Sequence, residues 1–180
     1  MRIHPLLSTE EREKILGYLL MHPSEKINMN GVARELGLSP GQVHKYVSIL
    51  RKEGLVEKDE WKEVPLAHSL RLLFNIKKVG GAGIVDVLRR ELPGVEGIGI
   101  FGSWASGTNA EGSDLDIWVK MGKEPEELAV AKARKRLEGK VGVPVDIVIA
   151  TPERMKHFRE KSDAFYFSLY NGRILWGEGL

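Results

Sequence analysis

Residues 99–119 read GIFGSWASGTNAEGSDLDIWV, and their interpretation decides the fold of the second half of the chain. Ile98, Ile100 and Phe101, bounded by glycines, fit a strand that runs straight into Gly102-Ser103, after which WASG can start a helical turn. Such a junction suits an anion. Glycine lets the backbone approach, free N–H groups at the helix start attract negative charge, and the serine hydroxyl adds a donor. SDLDIWV then returns as a strand whose alternation sends Asp114, Asp116 and Trp118 to one face and Leu115, Ile117 and Val119 to the other. Two carboxylates about 7 Å apart at their Cα atoms can share a cation.

VGVPVDIVIA, at 141–150, reads as a third strand, apolar except for Asp146. In a buried strand that carboxylate needs a partner, a hydrogen bond or a metal. Three converging carboxylates repel one another unless a divalent cation neutralises them. Magnesium fits, because it prefers oxygen ligands and is commonly held by one or two carboxylates together with substrate phosphates. The Gly-Ser turn offers a place for those phosphates, so the pieces together describe metal-assisted phosphoryl chemistry on a nucleoside triphosphate.

Gly102-Ser103, ten intervening residues, Asp114-Leu115-Asp116 and the later Asp146 resemble the signature of the DNA polymerase beta-like nucleotidyltransferases, specifically their minimal members. The resemblance covers roughly residues 93–180, including the closing NGRILWGE, which is similar to the final strand of many such domains. It implies that Gly102 and Ser103 hold the triphosphate and that Asp114 and Asp116 bind metal. Asp146 would complete a second metal site and help to deprotonate the attacking hydroxyl. Many minimal members read Gly-Ser-x-Ala-Arg-Gly, whereas this chain has Ser106 where the arginine would stand.

The first third carries a different pattern. From Ser8 to Met21, Ile15 and Leu19, with Leu16 and Leu20, recur at helical spacing behind a Ser/Thr cap and an acidic first turn. Two short helices follow around Gly37. Val32, Ala33 and Leu36 form the inner side of the first, and Ser39, Pro40 and Gln42 begin the second as a capping box. Val43, Val47 and Leu50 point inward there, which leaves Gln42, His44, Lys45, Ser48, Arg51 and Lys52 for solvent or a groove. LVEKDEWKEV then reads as two short strands around a polar tip at 58–60. The whole resembles the winged helix-turn-helix domains of prokaryotic transcription regulators, which implies nucleic-acid binding with the helix at 40–53 in the major groove and the wing on phosphates; dimerisation, or holding a partner or RNA, is the alternative use of such a domain. Lysine and arginine number ten in residues 1–66 and so do the acids; only 67–92, with five against two, is distinctly basic.

PLAHSLRLLFNIKKVGGAGIVDVLRREL, at 65–92, fits two helices, carrying Leu66, Leu70, Leu73 and Phe74 and then Ile84, Val85, Leu88 and Leu92, joined by GGAG at 80–83. In PEELAVAKARKRLEGK, Leu128, Ala131 and Leu137 are packing candidates, and Lys132, Arg134, Lys135, Arg136 and Lys140 form a basic face, read as solvated surface in preference to a contact with RNA or the acceptor. TPERMKHFREK starts another helix with Thr151 as its cap. Trp104 and Trp118 flank the acidic pair and are read as packing residues.

The 180-residue chain has 42% hydrophobic and 29% charged residues, a soluble globular composition, and no cysteine. That excludes disulfides, thiolate zinc sites and a cysteine nucleophile. The histidines His4, His22, His44, His68 and His157 lack ligand spacing. No apolar run spans a bilayer, and the N-terminal apolar stretch is too short for a signal peptide, so a cytoplasmic protein without a membrane partner is expected.

The expected architecture is α+β: a winged helix-turn-helix domain at 1–66, a helical connector at 67–92, and a small mixed-sheet, polymerase-beta-like nucleotidyltransferase domain at 93–180. The expected activity is Mg²⁺-dependent transfer of a nucleoside monophosphate from a triphosphate such as ATP to a hydroxyl, with release of pyrophosphate and a two-metal site. Resemblance to the minimal nucleotidyltransferase antitoxins admits a toxin-like protein as acceptor; an RNA such as tRNA is the other. A DNA-binding regulator whose second domain only senses nucleotide is the alternative.

Overall fold

The computed structural model describes residues 6–161 and 163–180, so His4 lies outside the described residues. The chain divides into two compact units, Met1–Arg71 and Leu72–Leu180.

In the first unit, α1 (Glu10–Met21) starts at Thr9, whose side chain accepts from the Arg12 N–H, and Glu10, Glu11 and Glu13 complement the helix dipole. It buries Ile15, Leu16, Leu19 and Leu20. The second helix, α2 (Met29–Leu36), is capped by Asn28 and ends at Gly37. Next, α3 (Pro40–Lys52) opens with the full Ser39/Gln42 capping box and buries Val43, Tyr46, Val47 and Leu50. Tyr46 belongs to that inner face because its hydroxyl donates to the Leu6 carbonyl at 2.8 Å. The wing is short: β1 (Val56–Glu57) and β2 (Glu60–Trp61) pair antiparallel around Lys58-Asp59. Arg71 is 1% exposed, donates to the Leu20 carbonyl at 2.7 Å and forks onto both oxygens of Glu63.

Arg71 lies within α4 (Pro65–Gly81), so this helix contains the boundary between the units. The second unit continues with α5 (Ile84–Glu91), β3 (Val95–Ile100), the single turn α6 (Gly102–Ser106) and β4 (Leu115–Met121). It then runs through α7 (Glu127–Val141), β5 (Val145–Ala150), α8 (Pro152–Lys161), α9 (Asp163–Tyr170) and β6 (Arg173–Gly177). The sheet order is β5-β4-β3-β6. Strands β4 and β5 are parallel, and α7 is the crossover that such a pair requires; the other pairings are antiparallel. The expectation of an α+β chain, with a small mixed sheet following a winged helix-turn-helix, matches this architecture.

Alternation decides which face each side chain joins. Leu115, Ile117 and Val119 of β4, with Val145, Ile147 and Ile149 of β5, enter the main core with Leu88 of α5 and Ala133, Leu137 and Val141 of α7. Leu128 and Ala131 do not. Leu128 is 78% exposed and Ala131 is exposed, because the inner stripe of α7 repeats every four residues through Ala133, Leu137 and Val141 and turns those two outward.

On the opposite face, Trp118 packs with Phe101 and Leu169. Its indole lies so close to Gly99 and Gly172 that a Cβ would stand 2.3 Å and 3.0 Å from it. Asp146 projects on that face too, but from a sheet edge. Its side chain is 63% exposed, which corrects the expectation of a buried strand: β5 pairs on one side only, and the 146 position faces away from α7.

Candidate active site

The geometry of the site follows from strand register. Asp116 of β4 and Asp146 of β5 are direct partners in the parallel pairing. Register partners share a face and lie about 4.8 Å apart at the backbone. Asp114 stands just before β4, which begins at Leu115. The three carboxylates differ in setting: Asp114 and Asp146 are exposed, whereas Asp116 is half-buried. Burial, then the charges of Asp146 and Asp114, raise the Asp116 carboxyl above the usual carboxylate range. Among the described residues no three His, Cys, Asp or Glu side chains form a group able to hold a metal. A pair of hard oxygen donors completed by substrate phosphates is therefore the arrangement that fits, which is how Mg²⁺ is commonly held.

Against this pair sits the turn. Gly102 opens α6 with φ +64°, and a Cβ on it would lie 2.3 Å from Oδ2 of Asp116. No other residue type permits both the conformation and the approach. The Phe101 N–H donates to the Asp116 carbonyl at 3.1 Å, fastening the strand end to the turn. No side chain caps α6, and Ser103 begins its first turn half-exposed. Ser106, exposed, bonds back onto its own turn: its hydroxyl lies 3.1 Å from the Gly102 carbonyl, 3.2 Å from that of Ser103 and 2.8 Å from the Thr108 hydroxyl. It closes the turn and presents no cation. A basic group approaches from elsewhere. The Arg134 guanidinium of α7 lies 3.9 Å from the Asp146 carboxylate.

Two supporting residues escaped the sequence reading. Asn75 and Asn109 are buried and exchange amide hydrogen bonds at 2.7 and 3.3 Å, and Asn75 also donates to the Trp104 carbonyl at 2.9 Å. They brace α6 from behind. An asparagine at a polar-looking position of the connector and another in a loop carry no signal by themselves; only their pairing does. Trp104 and Trp118 are buried packing residues, as expected.

Residues 82–170 match the family model described as a nucleotidyltransferase domain. The chain carries a nucleotidyltransferase domain. Residues 12–57 match the model described as winged helix-turn-helix DNA-binding. The nucleotidyltransferase domain thus follows a winged helix, as the sequence implies. Protein adenylyltransferase MntA of Thermococcus cleftensis is 40% identical over 60 residues, which cover 33% of this chain and 61% of that protein. The chain therefore spans less than two thirds of that relative's length. A solved toxin–antitoxin with AMP-PNP is 26% identical, with 58% of this chain and 74% of that one covered and a TM-score of 0.44. The structure of a tri-AMPylated Shewanella oneidensis HEPN toxin with its MNT antitoxin is 22% identical, covering 59% and 73%, with a TM-score of 0.40.

In the winged helix the six candidates of α3, five exposed and Ser48 half-buried, divide. Gln42 is occupied by the capping box, accepting from the Ser39 N–H at 3.0 Å, and the Ser48 hydroxyl donates to the His44 carbonyl at 2.9 Å. Arg51 is ion-paired with Asp59 at the wing tip. His44, Lys45 and Lys52 are exposed. No acid opposes the basic residues within α3 itself, but the wing supplies one. No helix among the described residues is long and apolar enough to cross a membrane.

Proposed function

We propose that the nucleotidyltransferase domain transfers a nucleoside monophosphate from a nucleoside triphosphate to a hydroxyl, releasing pyrophosphate. The observation that carries this reading is the register pairing of Asp116 with Asp146, with the Gly102 turn pressed against Asp116. Amides of Gly102 and Ser103 would hold the triphosphate and aim its α-phosphorus at the paired carboxylates. The acceptor oxygen attacks that phosphorus, the bond to the bridging oxygen breaks, pyrophosphate leaves with the electron pair, and the hydroxyl proton passes toward Asp146. Asp116 and Asp146, with the phosphates, would hold Mg²⁺, and Asp114 would join them only by moving toward the pair; in one or two sites the ion would neutralise the charge that develops on the attacking and leaving oxygens. Arg134, 3.9 Å from the Asp146 carboxylate, stands on the β5 side of the pair, where the acceptor rather than the Ser106 turn lies within its reach.

ATP as donor and a protein hydroxyl as acceptor are favoured by the name of the 40%-identical relative, a protein adenylyltransferase; the same geometry would serve an RNA hydroxyl. We also propose that the winged helix binds DNA through His44, Lys45 and Lys52 of α3, with Gln42, Ser48 and Arg51 released from their internal bonds on contact. The match of residues 12–57 to a DNA-binding model favours a second reading, a regulator whose nucleotidyltransferase domain only senses nucleotide.

Labelling separates the two. The protein is incubated with Mg²⁺, each α-labelled triphosphate, and cell protein or cell RNA in turn, beside the Asp114→Asn/Asp116→Asn double variant. Label that depends on the carboxylates supports transfer, and the pool that carries it names the acceptor. Bound triphosphate without label in either pool replaces transfer with sensing.

A further inference from the structure

The free edge of β5 lies beside the candidate site and is equipped to hold a second chain. The Leu115 N–H donates to the Pro144 carbonyl at 2.9 Å, so the even-numbered residues of β5 turn their backbone groups toward β4. Val145, Ile147 and Ile149 therefore turn theirs outward. The Val145 N–H meets Oε1 of Glu138 at 3.4 Å, whereas the outward N–H and C=O of Ile147 and Ile149 have no partner among the described residues. A run of unpaired donors and acceptors on an edge is the template for strand addition, and natural edges are usually blunted or covered. Here only the start is blunted, by Glu138 and by Arg134.

The unpaired stretch opens onto a cavity of about 520 Å³. Ile147 and Ile149 line it with Val130, Ala131, Arg134 and Glu127. Arg134 rises from α7, on the Ile147 face, yet its guanidinium comes within 3.9 Å of Asp146 on the other face, so it reaches round the strand edge and joins cavity to site. That distance is beyond a hydrogen bond, and its donors remain available. Arg154, also in the cleft, is already paired with Glu124 at 3.1 Å. Glu127 stands two helical turns before Arg134, about 10 Å away. Arg134 thus offers a guanidinium on the cavity side of the strand edge, and Glu127 an acid about two turns away.

We infer that the acceptor is a protein segment in extended conformation, which adds to the free edge of β5 at Ile147 and Ile149 and so delivers a side-chain hydroxyl to Asp146. This rests on the transferase reading above and names its acceptor class. A strand laid on this edge places one side chain beside Asp146, on the face of Asp116, and turns its neighbours to the cavity face, where Arg134 selects an acidic residue next to the hydroxyl. Arg134 is here a positioning residue for the acceptor. The hydroxyl oxygen forms the new bond to the α-phosphorus, the hydroxyl proton goes toward Asp146, and pyrophosphate departs.

The test uses the full chain, α-labelled ATP, Mg²⁺ and an array of eight-residue peptides, each with a single serine, threonine or tyrosine flanked by acidic, neutral or basic residues, beside a single-stranded RNA oligonucleotide. Ala131→Trp fills the cleft from an exposed helical position, and Arg134→Glu reverses its charge; nucleotide binding and melting are followed for both. The wild type is expected to label hydroxyl peptides with an acidic neighbour at least tenfold better than those with a basic one. Ala131→Trp should lose tenfold or more of peptide labelling with nucleotide binding unchanged, and Arg134→Glu should invert the charge preference. Peptide labelling untouched by Ala131→Trp, or an acidic preference that survives Arg134→Glu, overturns the strand-edge site. Label on the oligonucleotide and on no peptide overturns it too while leaving transfer intact. Nucleotide bound with no label anywhere removes the transferase reading itself.

Discussion

A Cβ on Gly102 would stand 2.3 Å from Oδ2 of Asp116. The turn that begins α6 and the carboxylate at the centre of the candidate site are thus fitted to each other, and Gly102 also holds φ +64°. Gly102→Ala should cost about 1–2 kcal/mol in stability for the left-handed backbone alone. It should also turn the Asp116 carboxylate away from Asp146 without changing the strand register, lowering nucleotide transfer by about a hundredfold. Thermal melting and a labelling assay on the same preparation check both.

Asp116 predicts a pH effect whose sign is opposite to that of a salt-bridged acid. Burial and two neighbouring carboxylates raise its carboxyl in the folded state, so the folded protein keeps this proton to higher pH than the unfolded chain does. Stability from this group is present at acid pH and lost as pH rises through the raised value. Without Mg²⁺, Asp116→Asn should therefore melt about one to three degrees above wild type at pH 7, with the gap closing toward pH 4. The same variant should lose transfer.

Much of this was legible in the sequence, for a reason that differs by element. The capping box at Ser39 and Gln42, the alternation in β4 and the Gly-Ser junction are local patterns, and local chemistry fixes them. Strand order is not local. That β5 lies at an edge, with Asp146 in solvent, depends on β6 pairing with β3 at the far side, and no window around residue 146 contains that information. The misplaced stripe of α7 has a similar cause. Leu128 is the more apolar choice, but it falls outside the stripe through Ala133, Leu137 and Val141, so small Ala133 is buried instead.

The paired amides of Asn75 and Asn109 give a test of how the Gly102 turn is held. Asn75→Ala removes the amide that bonds the buried Asn109 side chain and the donor to the Trp104 carbonyl, and should destabilise the domain by about 1–3 kcal/mol. Asn75→Ala/Asn109→Ala should cost less than the sum of the single changes, because the partners vanish together. Urea unfolding of the three variants measures the coupling.

In the winged helix, Asp59 neutralises Arg51 while adopting a left-handed conformation at φ +65°. Asparagine tolerates that backbone, so Asp59→Asn should keep the turn and free the guanidinium. DNA affinity should rise at low salt, and the slope of log affinity against log salt should steepen by about 0.9, the signature of one further phosphate contact. Fluorescence anisotropy over a salt series reads it.

The indole of Trp118, wedged against Gly99, ties two positions far apart in the chain into one unit of inheritance. While the tryptophan stays, Gly99 cannot acquire a side chain without moving the ring. In a lineage that trades it for a smaller residue, position 99 becomes open to alanine or serine, whereas Gly172 stays closed, because a Cβ there would stand 2.5 Å from the Ile100 carbonyl oxygen and 2.9 Å from that of Leu169. Substitutions at 99 and 118 should therefore arrive together in related chains, and a tryptophan at 118 beside a bulky residue at 99 should be a combination that selection removes.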